Sequence, residues 1–122
     1  MKLHLSNSEG RNQITSCVAG FVAVNGVRHA HSLLVTPSEL ADWTASRADA
    51  LTSAHLDAVL ELQPEVVLLG TGSRLHFPAT EVLRPLIDAG IGFEVMDTGA
   101  ACRTYNILMA EGRRVLAALI VE

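Results

Sequence analysis

The chain has 122 residues, 49% of them hydrophobic and 18% charged, with a formal net charge of −4. That length suits one domain with a single buried core, and the composition excludes a disordered chain. The nine basic residues are Lys2 and scattered arginines, which excludes the clustered basic footprint of a nucleic-acid binder.

Residues 1–13 are polar and carry Gly10 and Asn12, so we expect a loose N-terminal arm or a short strand there. Residues 14–24 alternate loosely. Ile14, Ser16, Val18, Gly20, Val22 and Val24 fall on one face, and Thr15, Cys17, Ala19, Phe21 and Ala23 on the other. Both faces are mostly apolar, which predicts a strand, or a pair of strands broken near Gly20, buried on both sides. Asn25-Gly26 tolerates the positive φ values of a type I′ turn and predicts a hairpin into a strand over 27–35.

Thr36-Pro37-Ser38-Glu39 has the form of a capping box, with Pro at the first helical position. It predicts a short helix over 37–43, ending near Trp43. Residues 44–53 read as a surface crossover. A second helix over about 54–62 places Leu56, Val59 and Leu60 on one face, and Pro64 stops it. Residues 65–69 form a near-continuous apolar run, the mark of a central parallel strand.

Gly70-Thr71-Gly72 then makes a bend, followed by a loop and a helix over about 80–89. Pro85 is awkward inside that helix, since an interior proline removes one backbone bond and costs roughly 3 kcal/mol; a late start or a kink is expected. Gly90 suits the C-cap. A strand over 91–96 buries Ile91, Phe93 and Val95, and Asp97-Thr98-Gly99 bends it into a helix over 98–111. Ala101, Tyr105 and Leu108 share one side of that helix with Ile107 beside them, while Arg103 and Asn106 share its least apolar side. Residues 115–121 close the chain as a strand apolar on both faces. The order predicts a mixed sheet with helices on at least one face.

No apolar run approaches the ~20 residues of a membrane-crossing helix, and the N-terminus lacks the apolar stretch of a secretory signal. Cys17 and Cys102 are far apart and no Cys-x-x-Cys occurs, so no disulfide framework is expected. A cytoplasmic protein is the simplest reading. No cofactor is implied, and homo-oligomerisation is left open.

In a parallel sheet the bends at 70–72 and 97–99 would share one edge, where α/β proteins place ligand sites. Gly70, Thr71 and Gly72 could admit a phosphate to the backbone, but the run is neither a Walker A loop nor Gly-x-Gly-x-x-Gly, and a plain tight turn competes. Asp97 and Thr98 could hold an anion or position an acid; the plainer alternative is N-capping, and a carboxylate at the positive helix end is a poor general base. Cys102, in the first turns of the helix, could be an activated nucleophile, or a buried structural thiol. No partner for it is identifiable among His4, His29, His31, His55 and His76. His29-x-His31 resembles part of a metal site without a third ligand. Arg103 and Asn106 could bind a carboxylate or phosphate, or tie down the neighbouring loop.

Leu69-Gly-Thr-Gly72, Gly90-Ile-Gly-Phe-Glu-Val-Met-Asp-Thr98, Ala101-Cys-Arg-Thr-Tyr-Asn106, Leu108 and Glu111-Gly-Arg113 resemble a widespread family of small proteins of unknown function. The family includes archaeal and bacterial members and the mitochondrial complex I assembly factor 3. The resemblance covers about 18–122 and is specific from about 66. It implies a three-layer α/β fold, with a central mixed β-sheet, helices on one side and an additional β-hairpin layer. It implies no established enzymatic activity, and it implies protein partners in respiratory-complex assembly. Gly70, Thr71, Gly72, Asp97, Thr98, Cys102, Arg103, Thr104, Tyr105 and Asn106 are its motif positions, none assigned a catalytic role. Two expectations follow: a non-enzymatic domain acting through protein contacts, or a small-molecule or anion-binding protein or enzyme using a crevice at 70–72 and 97–106.

Overall fold

The computed structural model describes residues 10–122; of the arm expected over 1–13, residues 1–9 lie outside the described residues. A three-stranded antiparallel sheet comes first, built from β1 (Ile14–Val18), β2 (Phe21–Val24) and β3 (Val27–His29). Asn25 and Gly26 take φ values of 51° and 84°, the left-handed geometry a type I′ turn requires. Arg11, Asn12 and Gln13 are tied down: Asn12 Nδ2 donates to the carbonyls of Thr36 and Glu39, and the Gln13 N–H donates to Asn25 Oδ1.

The strand expected over 27–35 is two strands in different sheets. β3 ends at His29, and β4 (Leu33–Val35) joins a five-stranded mixed sheet. The expected helix over 37–43 is absent. The chain reverses at 36–39 and returns as β5 (Leu40–Asp42), antiparallel to β4. The Glu39 N–H does donate to Thr36 Oγ1 at 2.9 Å, as a cap would have it. The Thr36 N–H, however, donates to the Glu39 carbonyl, which closes a turn. The same side-chain bond serves a helix start and a hairpin, and pairing with the fully buried β4 decides for the hairpin.

The crossover expected to lie on the surface is pinned by Trp43, Ala45, Ala48 and Leu51, all buried. It leads through a 3₁₀ turn at Ala48–Ala50 to α1 (Ser53–Leu60). Then follow β6 (Val66–Gly70), α2 (Thr80–Asp88), β7 (Gly92–Met96), α3 (Thr98–Ala110) and β8 (Val115–Leu119). α2 starts on time and keeps Pro85 inside. The bond that Pro85 forfeits is to the carbonyl of Glu81, an exposed residue that water can satisfy. Gly90 ends α2 as expected. Its N–H reaches the Ile87 carbonyl and that of Ile91 reaches Leu86, the two bonds of a Schellman cap.

The larger sheet runs β5-β4-β8-β6-β7, with β8 and β7 parallel to β6 and β4 antiparallel to both β5 and β8. β7 is therefore an edge strand, only half-buried along its length, not the buried strand its apolar residues suggest. β8 is central and buried at every position. Period-two alternation splits the core into two layers. Val67, Leu69, Leu116 and Ala118 meet Leu56 and Val59 of α1 and Leu83 and Leu86 of α2. Leu33, Val35, Leu68, Ala117 and Leu119 meet Ala101, Tyr105 and Met109 of α3 together with Ile14, Val22 and Val24 of the smaller sheet. The three-layer α/β architecture is thus present, and α3 lies on the face that carries the additional β layer.

That β layer is not buried on both sides. Thr15, Ser16 and Val18 are exposed, because its outer face has no element over it among the described residues. A register shift between Ile14 and Ser16 makes Thr15 a bulge residue. A bulge inserts one residue and inverts the alternation beyond it. Ile14 and Cys17 therefore turn inward, whereas strict alternation predicted Ile14 and Ser16.

Candidate functional site

The two bends meet. The Thr71 N–H donates to the Met96 carbonyl and the Thr98 N–H to the Gly72 carbonyl, each at 2.9 Å. Gly72 returns its own N–H to Thr98 Oγ1 at 2.8 Å, and that hydroxyl donates to the Ile120 carbonyl at 2.7 Å. One buried threonine side chain therefore joins the ends of β6, β7 and β8. Parallel pairing of β6 with β7 brings their carboxyl ends to this edge. Gly70 is required for the approach: a Cβ there would lie 2.9 Å from Thr98 Cα. Gly72 holds φ +97°, and its open side faces the Glu122 carboxylate, 2.7 Å from where a Cβ would stand.

Thr71, Asp97, Tyr105 and Asn106 are also committed to the chain's own backbone. Thr71 Oγ1 donates to the Arg74 carbonyl at 2.7 Å and accepts from the His76 N–H. Asp97 caps α3, its Oδ1 accepting from the Ala100 N–H at 2.8 Å. Tyr105, fully buried, donates its hydroxyl to the Asn12 carbonyl at 2.8 Å. Asn106 accepts from the Ile14 N–H and donates to the Ile14 carbonyl. Burial holds the Tyr105 phenol well above its ordinary range. Burial first, and the neighbouring Cys17 thiol second, push the Cys102 thiol up as well. A thiol so held is the reverse of an activated nucleophile at neutral pH.

The predicted site residues divide between adjoining recesses. Gly72, Asp97 and Thr98 line one of about 320 Å³, with Cys17, Val18, Val22, Ile120 and Glu122 around them. Cys102, Arg103 and Asn106 line a second, about 300 Å³, with Ile14 and Cys17. Cys17 and Gly99 stand between the two. Thr71 belongs to an open groove with Arg47, Arg74 and His76, which adjoins the first recess at Ser73 and Glu122, and Gly70 is packed beneath Thr98. Arg103 is exposed and does not line the recess that the bends border. Asp97 and Glu122 are among the residues that line it instead.

The break near Gly20 was expected and is the reversal between β1 and β2, but sequence reasoning did not place Cys17, the 18–22 segment or Glu122 at this site. Glu122 Oε1 accepts from the Ser73 hydroxyl at 3.3 Å and lies 3.4 Å from its N–H, a contact across 49 positions with no local signal. His29 and His31 do sit together, with ring centroids 5.9 Å apart. His31 is paired with Asp42 at 2.6 Å, and the described residues contain no group of three or more His, Cys, Asp or Glu placed to hold a metal ion.

Comparison with known proteins bears on this arrangement. The family model described as "Protein of unknown function (DUF498/DUF598)" matches residues 14–120. The chain is similar to the "13 kDa major membrane protein" of Francisella tularensis, 30% identical over 105 residues, which cover 84% of this chain and 85% of that protein. It is similar to the bovine "NADH dehydrogenase [ubiquinone] 1 alpha subcomplex assembly factor 3", 38% identical over 103 residues, 83% of this chain. The chain spans 55% of that factor's length. Among solved structures it matches a Bordetella pertussis protein described as a Mth938-like domain, with a TM-score of 0.81 and 37% identity, covering 98% of this chain and 92% of that one. Among the described residues no helix is long and apolar enough to cross a membrane.

Proposed function

This chain belongs to the DUF498/DUF598 family of proteins of unknown function, and from that premise we propose that it acts through protein contacts, without catalysis, in the assembly of a respiratory complex. The observation that carries the reading is the likeness to complex I assembly factor 3, which extends over 83% of this chain. The hydrogen bonding of the motif supports it. Thr71, Thr98, Tyr105 and Asn106 spend their polar atoms on the chain's own backbone, which leaves the surface to make the contacts. The segment after the first bend offers such a surface: Leu75 is 62% exposed and Phe77 66%. Apolar side chains with that much area in water are the ordinary material of a protein interface.

The experiment is deletion of the gene in a host that makes complex I, followed by quantifying the assembled complex in its membranes. The expected result is a several-fold loss, restored by the intact protein and restored less by a Leu75→Ser, Phe77→Ser double variant of unchanged stability. An undiminished complex in the deletion strain would contradict the reading. We place the protein in the cytoplasm. Recovery of the chain in the membrane pellet after fractionation, the behaviour the Francisella relative's name describes, would contradict that placement.

A second reading rests on the 320 Å³ recess, a volume at the lower end of small-molecule sites. Glu122 and Asp97 on its wall favour a neutral or cationic ligand there over an anion. A thermal-shift screen comparing phosphates and carboxylates with amines separates the two ligand classes. Stabilisation by anions alone would favour the recess beside Arg103.

A further inference from the structure

We propose that Cys17 and Cys102 are a reversible dithiol site, oxidised by a peroxide to an intramolecular disulfide that fastens the outer β layer to α3. Three observations of geometry carry this. The bulge at Thr15 rotates Cys17 inward, into the cluster that contains Cys102. Both cysteines line the same recess beside Ile14 and Asn106. The backbone there is already held in register, since Asn106, one turn along α3 from Cys102, grips Ile14, three residues before Cys17. Both thiols are free.

The two cysteines differ in a way that assigns their roles. Cys17 is partly exposed at the wall between the two recesses, and Cys102 is buried. Cys17 is therefore the thiol that meets the oxidant. Its thiolate attacks one oxygen of hydrogen peroxide, the O–O bond breaks, hydroxide leaves, and Cys17 becomes a sulfenic acid. Cys102 sulfur then attacks the Cys17 sulfur, the S–O bond breaks, and the Cys102 proton leaves with the departing hydroxide as water. In sum two thiols and one peroxide give one disulfide and two waters. Two electrons pass from the sulfurs to the peroxide. A small dithiol reductant reverses the change by thiol–disulfide exchange at the exposed Cys17 sulfur. Such a transient bond is the form disulfides take in reducing compartments.

The disulfide would close a loop from residue 17 to residue 102, and a cross-link of that span restricts the unfolded chain strongly. It would also fix the Cys17 wall of the 320 Å³ recess.

The test treats the full chain with a small excess of hydrogen peroxide, then measures intact mass, free thiols and peptide linkage. The chain has two cysteines, so thiol counting is unambiguous. The expected product is a monomer that has lost both thiols and two hydrogens of mass, yields one linked peptide pair spanning Cys17 and Cys102, melts several degrees higher than the reduced protein, and returns to two thiols with dithiothreitol. Cys17→Ser should leave one thiol that resists peroxide until the protein unfolds. Cys102→Ser should leave Cys17 to accumulate as sulfenic or sulfinic acid. If Cys102→Ser does not fold, the intact protein and Cys17→Ser decide the matter alone. Cys17 oxidised to sulfinic acid, or cross-linked between chains, with the Cys102 thiol intact, would overturn the proposal. So would oxidation of Cys102 in folded Cys17→Ser at the rate seen in the intact protein.

Discussion

The Asn106 side chain brackets the backbone of Ile14, accepting from its N–H at 3.0 Å and donating to its carbonyl at 2.7 Å. A helix side chain here does what a neighbouring strand would do. It satisfies both polar groups of one residue and holds β1 against α3. Truncating it leaves two partly buried backbone groups without partners, each worth about 1–3 kcal/mol. Asn106→Ala should therefore lower unfolding stability by about 2–4 kcal/mol in urea titration, and amide protection should fall in β1 and β2 before α3. A loss below about 0.5 kcal/mol, the range of an ordinary surface change, would show that the bracket carries no weight.

Gly70 makes a different kind of demand. A methyl group there meets backbone, Thr98 Cα at 2.9 Å, together with Thr98 Oγ1 at 3.0 Å. Backbone at this crowded sheet edge gives way only by moving α3 outward, and overpacking of this kind costs roughly 1–3 kcal/mol. Gly70→Ala should lower the midpoint of thermal unfolding accordingly, while Gly92→Ala, whose Cβ meets nothing within 4 Å, should leave it nearly unchanged. Equal effects at the two glycines would refute the close-contact explanation.

Tyr105 makes an alkaline prediction with a definite sign. Burial raises its phenol above the ordinary value of 10.0. The unfolded chain loses this proton near 10.0 and the folded protein keeps it to higher pH, so in between the folded state binds more protons. Stability must then fall as pH rises past that value, and its contribution is complete below it. Cys102, raised from 9.0, adds a decline that begins earlier. The chain contains a single tyrosine, so tyrosinate absorbance reports this group alone. The absorbance should appear together with loss of the fold, and Tyr105→Phe should flatten the stability profile above 10.0. Ionisation at its ordinary value in a folded protein would contradict the burial.

Much of the fold was legible because its signals are local. The apolar runs of β6 and β8, the positive φ values of Asn25 and Gly26, the cap at Gly90 and the α3 helix all follow from residues close in the chain. The meeting of the bends was legible too, since parallel strands share their carboxyl ends at one edge. What escaped depended on distant partners. Thr36 and Glu39 form one short-range bond that fits a helix cap as well as a hairpin, and only pairing with β4 chooses between them. The bulge at Thr15 is a matter of cross-strand register, so the inward turn of Cys17 left no trace in the alternation. Asn106 looked like a site residue because its type suits a ligand, and Tyr105 read only as part of the apolar side of α3. Their partners, Ile14 and Asn12, lie more than ninety positions away.

The central claim is that the two bends and the end of β8 form one unit through Thr98, and native-state hydrogen exchange tests it most directly. The amides of Thr71, Gly72 and Thr98 donate to Met96, Thr98 and Gly72 respectively. They should exchange in the slowest class, with the β6 and β8 amides, and with the denaturant dependence of global unfolding. Exchange of these three amides through small local openings, while β6 and β8 stay protected, would mean that the bends are separate loops.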